Sequence, residues 1–302
     1  MATTSNPTAP VKGKMATESR PRKPVRFYVG RVVRYTAVIL IGLIMFTPFI
    51  LAFLGTFKTG AEIIAYPPQL LPAEWLSGNW VRVWNADFGQ GGTFPRWLFN
   101  TAFLSVIIAV AQVIFCSMAA YAFARMRFAG QDALLAFMLL TMMIPGAVTL
   151  IPAFVLMAKL QLLNTYWSLI LPGLVSAGGI FILTQFFKAI PRDLEEAAFM
   201  DGASRFQIYK DVLLPLARPA LLTIFILQFQ GMWNNFLTPL LYLNAPRMWV
   251  LNVALSVFSD QYDANYNLVL VGAMFNAIPI LVMFFFFSRY YIEGVSYAGV
   301  KG

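Results

Sequence analysis

The side chains able to do chemistry in this sequence are of two kinds, and neither kind breaks covalent bonds. Within one apolar run, Gln228, Gln230, Trp233, Asn234 and Asn235 offer carboxamides that donate and accept hydrogen bonds, and an indole whose face can stack on a sugar ring. Polar groups inside apolar runs are costly unless paired or lining water, which makes these five candidates for a solute pathway. The same amides also bridge neighbouring helices for packing alone, and for any single residue both roles stand. The second kind is the run DLEEAAFMDG from Asp193 to Gly202, whose acids, alanines and glycine are spaced to build a short helix.

Whole classes of chemistry are excluded by composition. The chain has no histidine, which removes the HExxH zinc site, the Ser-His triad and the Cys-His dyad together. Its single cysteine, Cys116, rules out an internal disulfide and paired-cysteine metal motifs, and its place in an apolar run suits packing. No GxxxxGK[ST] string occurs, so any ATP used must be bound, with its Mg, by another chain. No cofactor is expected in this one.

Of the 302 residues 59% are hydrophobic and 12% charged, against about a quarter charged in soluble domains. A lipid bilayer is the expected environment. Apolar segments at Tyr35 to Phe57, Leu98 to Ala124, Ala133 to Met157, Trp167 to Phe187, Leu216 to Leu243 and Leu268 to Ser288 are each long enough for a hydrocarbon core ~30 Å thick. The expectation is an all-α, polytopic protein of six spans. Residues 1–30 read as a disordered basic tail, 31–290 as the membrane domain with a connecting loop at 190–215, and 291–302 as a C-terminal tail.

The net charge of +9 could suggest nucleic acid, but eight of the 22 Lys and Arg precede the first apolar run, where they flank a membrane insertion. That run is too long for a signal peptide and no small-residue cleavage site interrupts it. On six spans, seventeen Lys and Arg fall in the two tails, the Arg125 to Gly130 turn and the Lys188 to Arg218 region. Retention of positive charge then places both termini in the cytoplasm. The Lys58 to Arg96 loop faces outward, with Trp75, Trp80, Trp84 and Trp97 as interfacial anchors. Prolines within the runs, among them Pro145 and Pro172, and the Gly178-Gly179 pair suit either ordinary kinked packing or the walls of a central cavity.

The connection between spans four and five is the most specific stretch. Asp193 with Glu196 three residues on reads as a capping box, Glu195 adds negative charge at the helix start, and Gly202 can end the helix in a left-handed conformation. About eight residues lie between. Ala197 and Ala198 make a small face that lets another backbone approach, while Phe199 and Phe206 call for a partner pocket or, alternatively, a lipid surface.

Glu196-Ala197-Ala198, Gly202 after three residues, and Val212, Leu214 and Pro215 after nine more resemble the EAA loop of ABC importer permeases, E-A-A-x(3)-G-x(9)-I-x-L-P, with valine for the usual isoleucine. The WNNF string at Trp233 to Phe236 and the closing EGVSYAGVKG resemble the smaller of the two permeases in maltose-type carbohydrate importers. The resemblance implies a type I ABC importer permease fold in a bacterial inner membrane. It further implies a second homologous permease, two cytoplasmic ATPase subunits and an extracytoplasmic sugar-binding protein as partners, and no enzymatic activity of this chain's own. Glu195, Glu196, Ala197, Ala198, Phe199, Asp201, Gly202 and Pro215 would then couple to the ATPase, and Lys301 and Gly302 would reach toward it. Asp260, Tyr262, Asp263, Asn265 and Tyr266, in an outward loop from Asn244 to Tyr266, would contact the binding protein; a solvated connector is the plainer reading of that loop. Two alternatives stay open: a permease of this type for another solute such as glycerol 3-phosphate, and an ion-coupled secondary transporter. The spans lack the buried carboxylates that ion coupling uses.

Overall fold

The computed structural model describes residues 25–87, 89–261 and 265–299. The chain divides into two compact units, 1–50 and 51–302. The described part of the first is the body of helix α1 (Val25–Gly55), in which no charged residue follows Arg34. The helix starts inside the segment expected to be a disordered tail, because from Val25 to Thr47 no proline interrupts it and Tyr28, Val29, Val32 and Val33 recur at helical spacing.

The second unit holds α2 (Gly60–Ile64), α3 (Gly78–Trp84), α4 (Phe94–Arg125), α5 (Gln131–Thr141), α6 (Gly146–Lys159), α7 (Trp167–Gly173), α8 (Ala177–Ala189) and α9 (Asp193–Met200). After these come α10 (Arg205–Gln207), a π-helical stretch at Ile208–Leu213, α11 (Leu214–Leu216), α12 (Arg218–Trp233), α13 (Leu237–Tyr242), α14 (Leu251–Gln261) and α15 (Tyr266–Gly299). The protein is all-α; among the described residues the only extended pairing is an isolated bridge between Asp87 and Thr93.

Four helical stretches are long and apolar enough to cross a membrane, Arg31–Gly55, Phe94–Arg125, Trp167–Ala189 and Tyr266–Phe287; the number reaches six if each of two bent pairs is one span. The pair α5 and α6 bends by 99°, where Pro145 holds Ile144 away from helical geometry. The stretch Arg205–Leu216 meets α12 at 77°. Pro215 and Pro219 each lack an amide proton, so the carbonyls one turn earlier lose their donors and the ladder breaks at Ala217. The fifth apolar run is therefore not one rod to Leu243: α12 ends at Trp233 and α13 is a separate helix.

Helix α4 is the axis of the second unit, packed chiefly on α8 and α12. Its inner stripe is small and polar as well as apolar: Thr101, Ser105, Ala109, Cys116, Ser117 and Ala120 are all buried. Small side chains let helix backbones approach, which drives association where surrounding lipid removes the usual hydrophobic gain. A Cβ at Gly179 would lie 3.2 Å from Cys116 Sγ, and one at Gly173 would lie 3.0 Å from Ile108. Cys116 is thus a packing residue, as is Gly179, and the Gly178-Gly179 pair does not line the cavity described below.

Two expectations about the connecting segments change. Trp97 is fully buried, donating Nε1 to the Pro246 carbonyl at 2.8 Å, so it is a core residue rather than an interfacial anchor. Trp80 packs edge-on against Phe275 and donates to Thr56 Oγ1, whereas Trp75 and Trp84 stay exposed. The segment from Asn244, expected as an outward loop, is not a loop throughout, since α14 fills half of it and buries Leu251, Val253 and Ala254 against α4 and α15.

Candidate functional site

Helix α9 spans eight residues, as the spacing of its acids and glycine requires. Its start differs from expectation. Arg192, not Asp193, is the N-cap, no side chain caps it, and Asp193 lies within the first turn. The amides of Glu195 and Glu196 already bond the Arg192 carbonyl at 2.9 and 3.0 Å, which shifts the start by one residue and dissolves the capping box. The acids instead sit at the positive end of the helix dipole. A capping box does form next door, between Ser204 and Gln207, where α10 begins.

The C-terminus of α9 follows the sequence. Gly202 has φ +83°, its amide bonds the Phe199 carbonyl at 3.0 Å, and the Ala203 amide bonds the Ala198 carbonyl at 3.0 Å. That is a Schellman motif, and it needs glycine for conformation alone, because a Cβ there would meet nothing within 4 Å. Asp201 is the C-cap.

What fixes α9 to the rest of the unit is an ion pair absent from the sequence reading. Arg125 Nε lies 2.6 Å from Glu195 Oε1, with side chains 4% and 12% exposed, and Arg125 Nη2 donates to the Ile190 carbonyl at 2.6 Å. The last turn of α4 is thereby tied to both ends of the short link before and within α9. Nearby, Tyr209 shares a hydrogen bond with Ser117 at 2.8 Å, and Tyr121 donates to the Arg205 carbonyl. Glu195 is drawn inward; Glu196, Ala197, Phe199 and Pro215 remain exposed, Ala198 half-buried, and Met200 is 88% exposed. Leu194 and Phe206 join this apolar surface, and Arg205 stands over the Phe199 ring at 5.9 Å.

A cavity of about 340 Å³ opens between α4, α6, α7, α12 and α13. Its polar wall is made by Gln112, Thr149, Ser168, Gln228, Asn235 and Thr238, with Tyr242 beside them, and its apolar wall includes Ile108, Leu169 and Pro172. Of the five predicted pathway residues the structure brings Gln228 and Asn235 here. Trp233 is 2% exposed and donates to the Asn276 carbonyl at 3.0 Å, while its own carbonyl accepts from Asn252. Asn234 donates to the Gln230 carbonyl and finishes α12. Neither those two nor Gln230 lines the cavity. Gln112, Thr149 and Tyr242 do, and the sequence reading missed them; an amide inside an apolar run is the signal that marks Gln112.

Of the residues expected at an external partner, Asn265 is half-buried and Tyr266, the first residue of α15, is exposed. Asp260 belongs to α14. Tyr262, Asp263, Lys301 and Gly302 lie outside the described residues.

The chain is similar to known proteins. Residues 112–293 match the family described as the binding-protein-dependent transport system inner membrane component. An arabinooligosaccharides transport system permease protein of Halalkalibacterium halodurans is 34% identical over 84% of this chain and 91% of its own. An sn-glycerol-3-phosphate transport system permease protein of Agrobacterium fabrum is 30% identical over 88% and 96%. The crystal structure of a bacterial ABC transporter involved in the import of the acidic polysaccharide alginate contains a chain that aligns with a TM-score of 0.74 and 27% identity, over 90% of this chain and all of that one.

Proposed function

Because this chain belongs to the binding-protein-dependent transport system inner membrane component family, we propose that it forms half of a carbohydrate pathway and takes its driving force through α9 from a separate ATPase. It is a multi-pass inner-membrane protein, a permease subunit of an ABC importer, and works with other components of such a system. The observation that carries the proposal is α9 itself, a rod of eight residues anchored inward by a buried ion pair and presenting Leu194, Phe199 and Met200 outward. Exposed large apolar side chains on a short helix outside the spans fit a protein pocket.

On this reading the ATPase grips Glu196, Ala197, Ala198 and Phe199 and moves α9 as a unit with the end of α4. Since α4 also walls the cavity through Gln112, a displacement at one end reaches the solute site at the other. A second homologous permease closes the pathway, a solute-binding protein docks near Asn265 and Tyr266, both termini face the cytoplasm, and ATP and Mg stay on the ATPase subunits. Ion coupling would call for a carboxylate at depth, and no Asp or Glu lines the cavity.

The test is proximity. With Cys116→Ser to remove the native thiol, Met200→Cys is cross-linked in membranes containing the whole importer. The expected product joins this chain to the ATPase subunit, with a yield that changes on adding a non-hydrolysable ATP analogue. No such product from Met200→Cys or from Phe199→Cys would overturn the proposal.

A further inference from the structure

We propose that Gly146 and Gly231 set the upper size of the solute unit that the cavity admits, each by withholding a side chain from its wall; this rests on the cavity being part of the solute path. On α6 the lining residues are Gly146, Thr149, Leu150 and Ala153, and on α12 they are Gln228, Gly231 and Met232. Their spacing is that of one helix face, so each glycine stands on the stripe of its helix that borders the lumen.

Neither glycine is required by the backbone or by packing within this chain. Neither takes a positive φ, and a Cβ built at either would meet nothing within 4 Å. Gly173, which lines the same cavity, is the contrast: a Cβ there would lie 3.0 Å from Ile108, so that glycine serves helix contact. Nor does Gly231 end α12, since Asn234 is the C-cap and its Nδ2 donates to the Gln230 carbonyl at 3.0 Å. A glycine inside a helix is less stable there than an alanine. What its missing methyl leaves at Gly231 is room.

Room matters because the cavity is small. Its volume of about 340 Å³ lies near the lower end of the ~300–1,000 Å³ found for small-molecule sites, so the bulk of one side chain decides which solutes fit. A side chain at position 231 would start one turn from Gln228, and one at position 146 would start one turn from Thr149. Either would narrow the lumen beside its polar groups. The two positions therefore control the length or girth of the solute, whatever its hydrogen bonds.

The experiment uses the intact importer, with its ATPase and binding protein, in proteoliposomes. Initial uptake is measured for unbranched saccharides of graded length, from glucose to maltotetraose and from xylose to xylotetraose. Gly231→Leu and Gly146→Leu should each lower uptake of the longest probe that the wild type carries about tenfold or more relative to the shortest, the discrimination that misplaced methylenes give in a pocket. Gly231→Ala should have a smaller effect of the same sign, while leaving the thermal midpoint and the assembly of the complex undiminished. A fall in equal proportion at every length overturns the inference, as does a wild-type length profile in both leucine variants. Loss of the second permease from the Gly231→Ala complex also overturns it, because the room would then belong to a helix of that subunit. Those three results leave the permease reading in place. No ATP-dependent uptake of any probe by the wild type removes the saccharide reading itself, and this inference with it.

Discussion

Replacing Glu195 with alanine should uncouple this protein without dismantling it. The substitution leaves the Arg125 guanidinium at a site 4% exposed, with the Ile190 carbonyl as its remaining acceptor. Removing one partner of a buried pair costs about 3–5 kcal/mol, which would shift the balance between docked and undocked α9 by a factor on the order of 10² to 10⁴. Glu195→Gln keeps the shape and an oxygen facing the guanidinium but removes the negative charge, so it should fall between. Hydrogen exchange reads the local effect at the amides of Asp201, Gly202 and Ala203, whose bonds exist only while α9 is formed. The functional readout is ATP hydrolysed per solute imported, expected to rise in the order wild type, Gln, Ala. If Glu195→Ala exchanged those amides at the wild-type rate and imported with unaltered stoichiometry, the pair would be incidental to coupling.

Gly202→Val forces a β-branched residue into φ +83°, at about 1–2 kcal/mol; import should drop while ATPase recruitment, followed by co-purification, weakens, and Gly202→Asn should be milder. Gly173→Leu drives side-chain atoms into Ile108, already 3.0 Å from where a Cβ would sit; overpacking of about 1–3 kcal/mol should lower the thermal midpoint of the detergent-purified complex. Trp233→Phe loses the bond to the Asn276 carbonyl and should cost about 1 kcal/mol of stability by the same assay, leaving the preference among solutes unchanged.

The sequence is most legible where local chemistry decides. Gly202 ends α9 because only a residue without Cβ adopts that backbone cheaply, and the EAA spacing is a local ruler. The capping box failed because the first amides found the Arg192 carbonyl, a difference of one residue that propensity does not resolve. The Arg125 to Glu195 pair was invisible for another reason: its partners are far apart in sequence, and a basic residue at a span end reads as a topology signal. Hydropathy likewise cannot see that α12 stops at Trp233, since LTPLLY beyond the break is as apolar as the helix before it. Burial sorted the five amide and indole candidates, turning Trp233 and Asn234 into packing and capping residues while leaving Gln228 and Asn235 on the cavity.

On the proposed function, motion imposed on α9 by a nucleotide-driven partner moves solute through the spans. It is tested most directly by uptake into proteoliposomes loaded with ATP, with and without the ATPase subunit, and with an ion gradient as the sole alternative energy source. Saccharide should accumulate only when ATPase and ATP are both present. Accumulation driven by a proton or sodium gradient, with the ATPase left out, would contradict it.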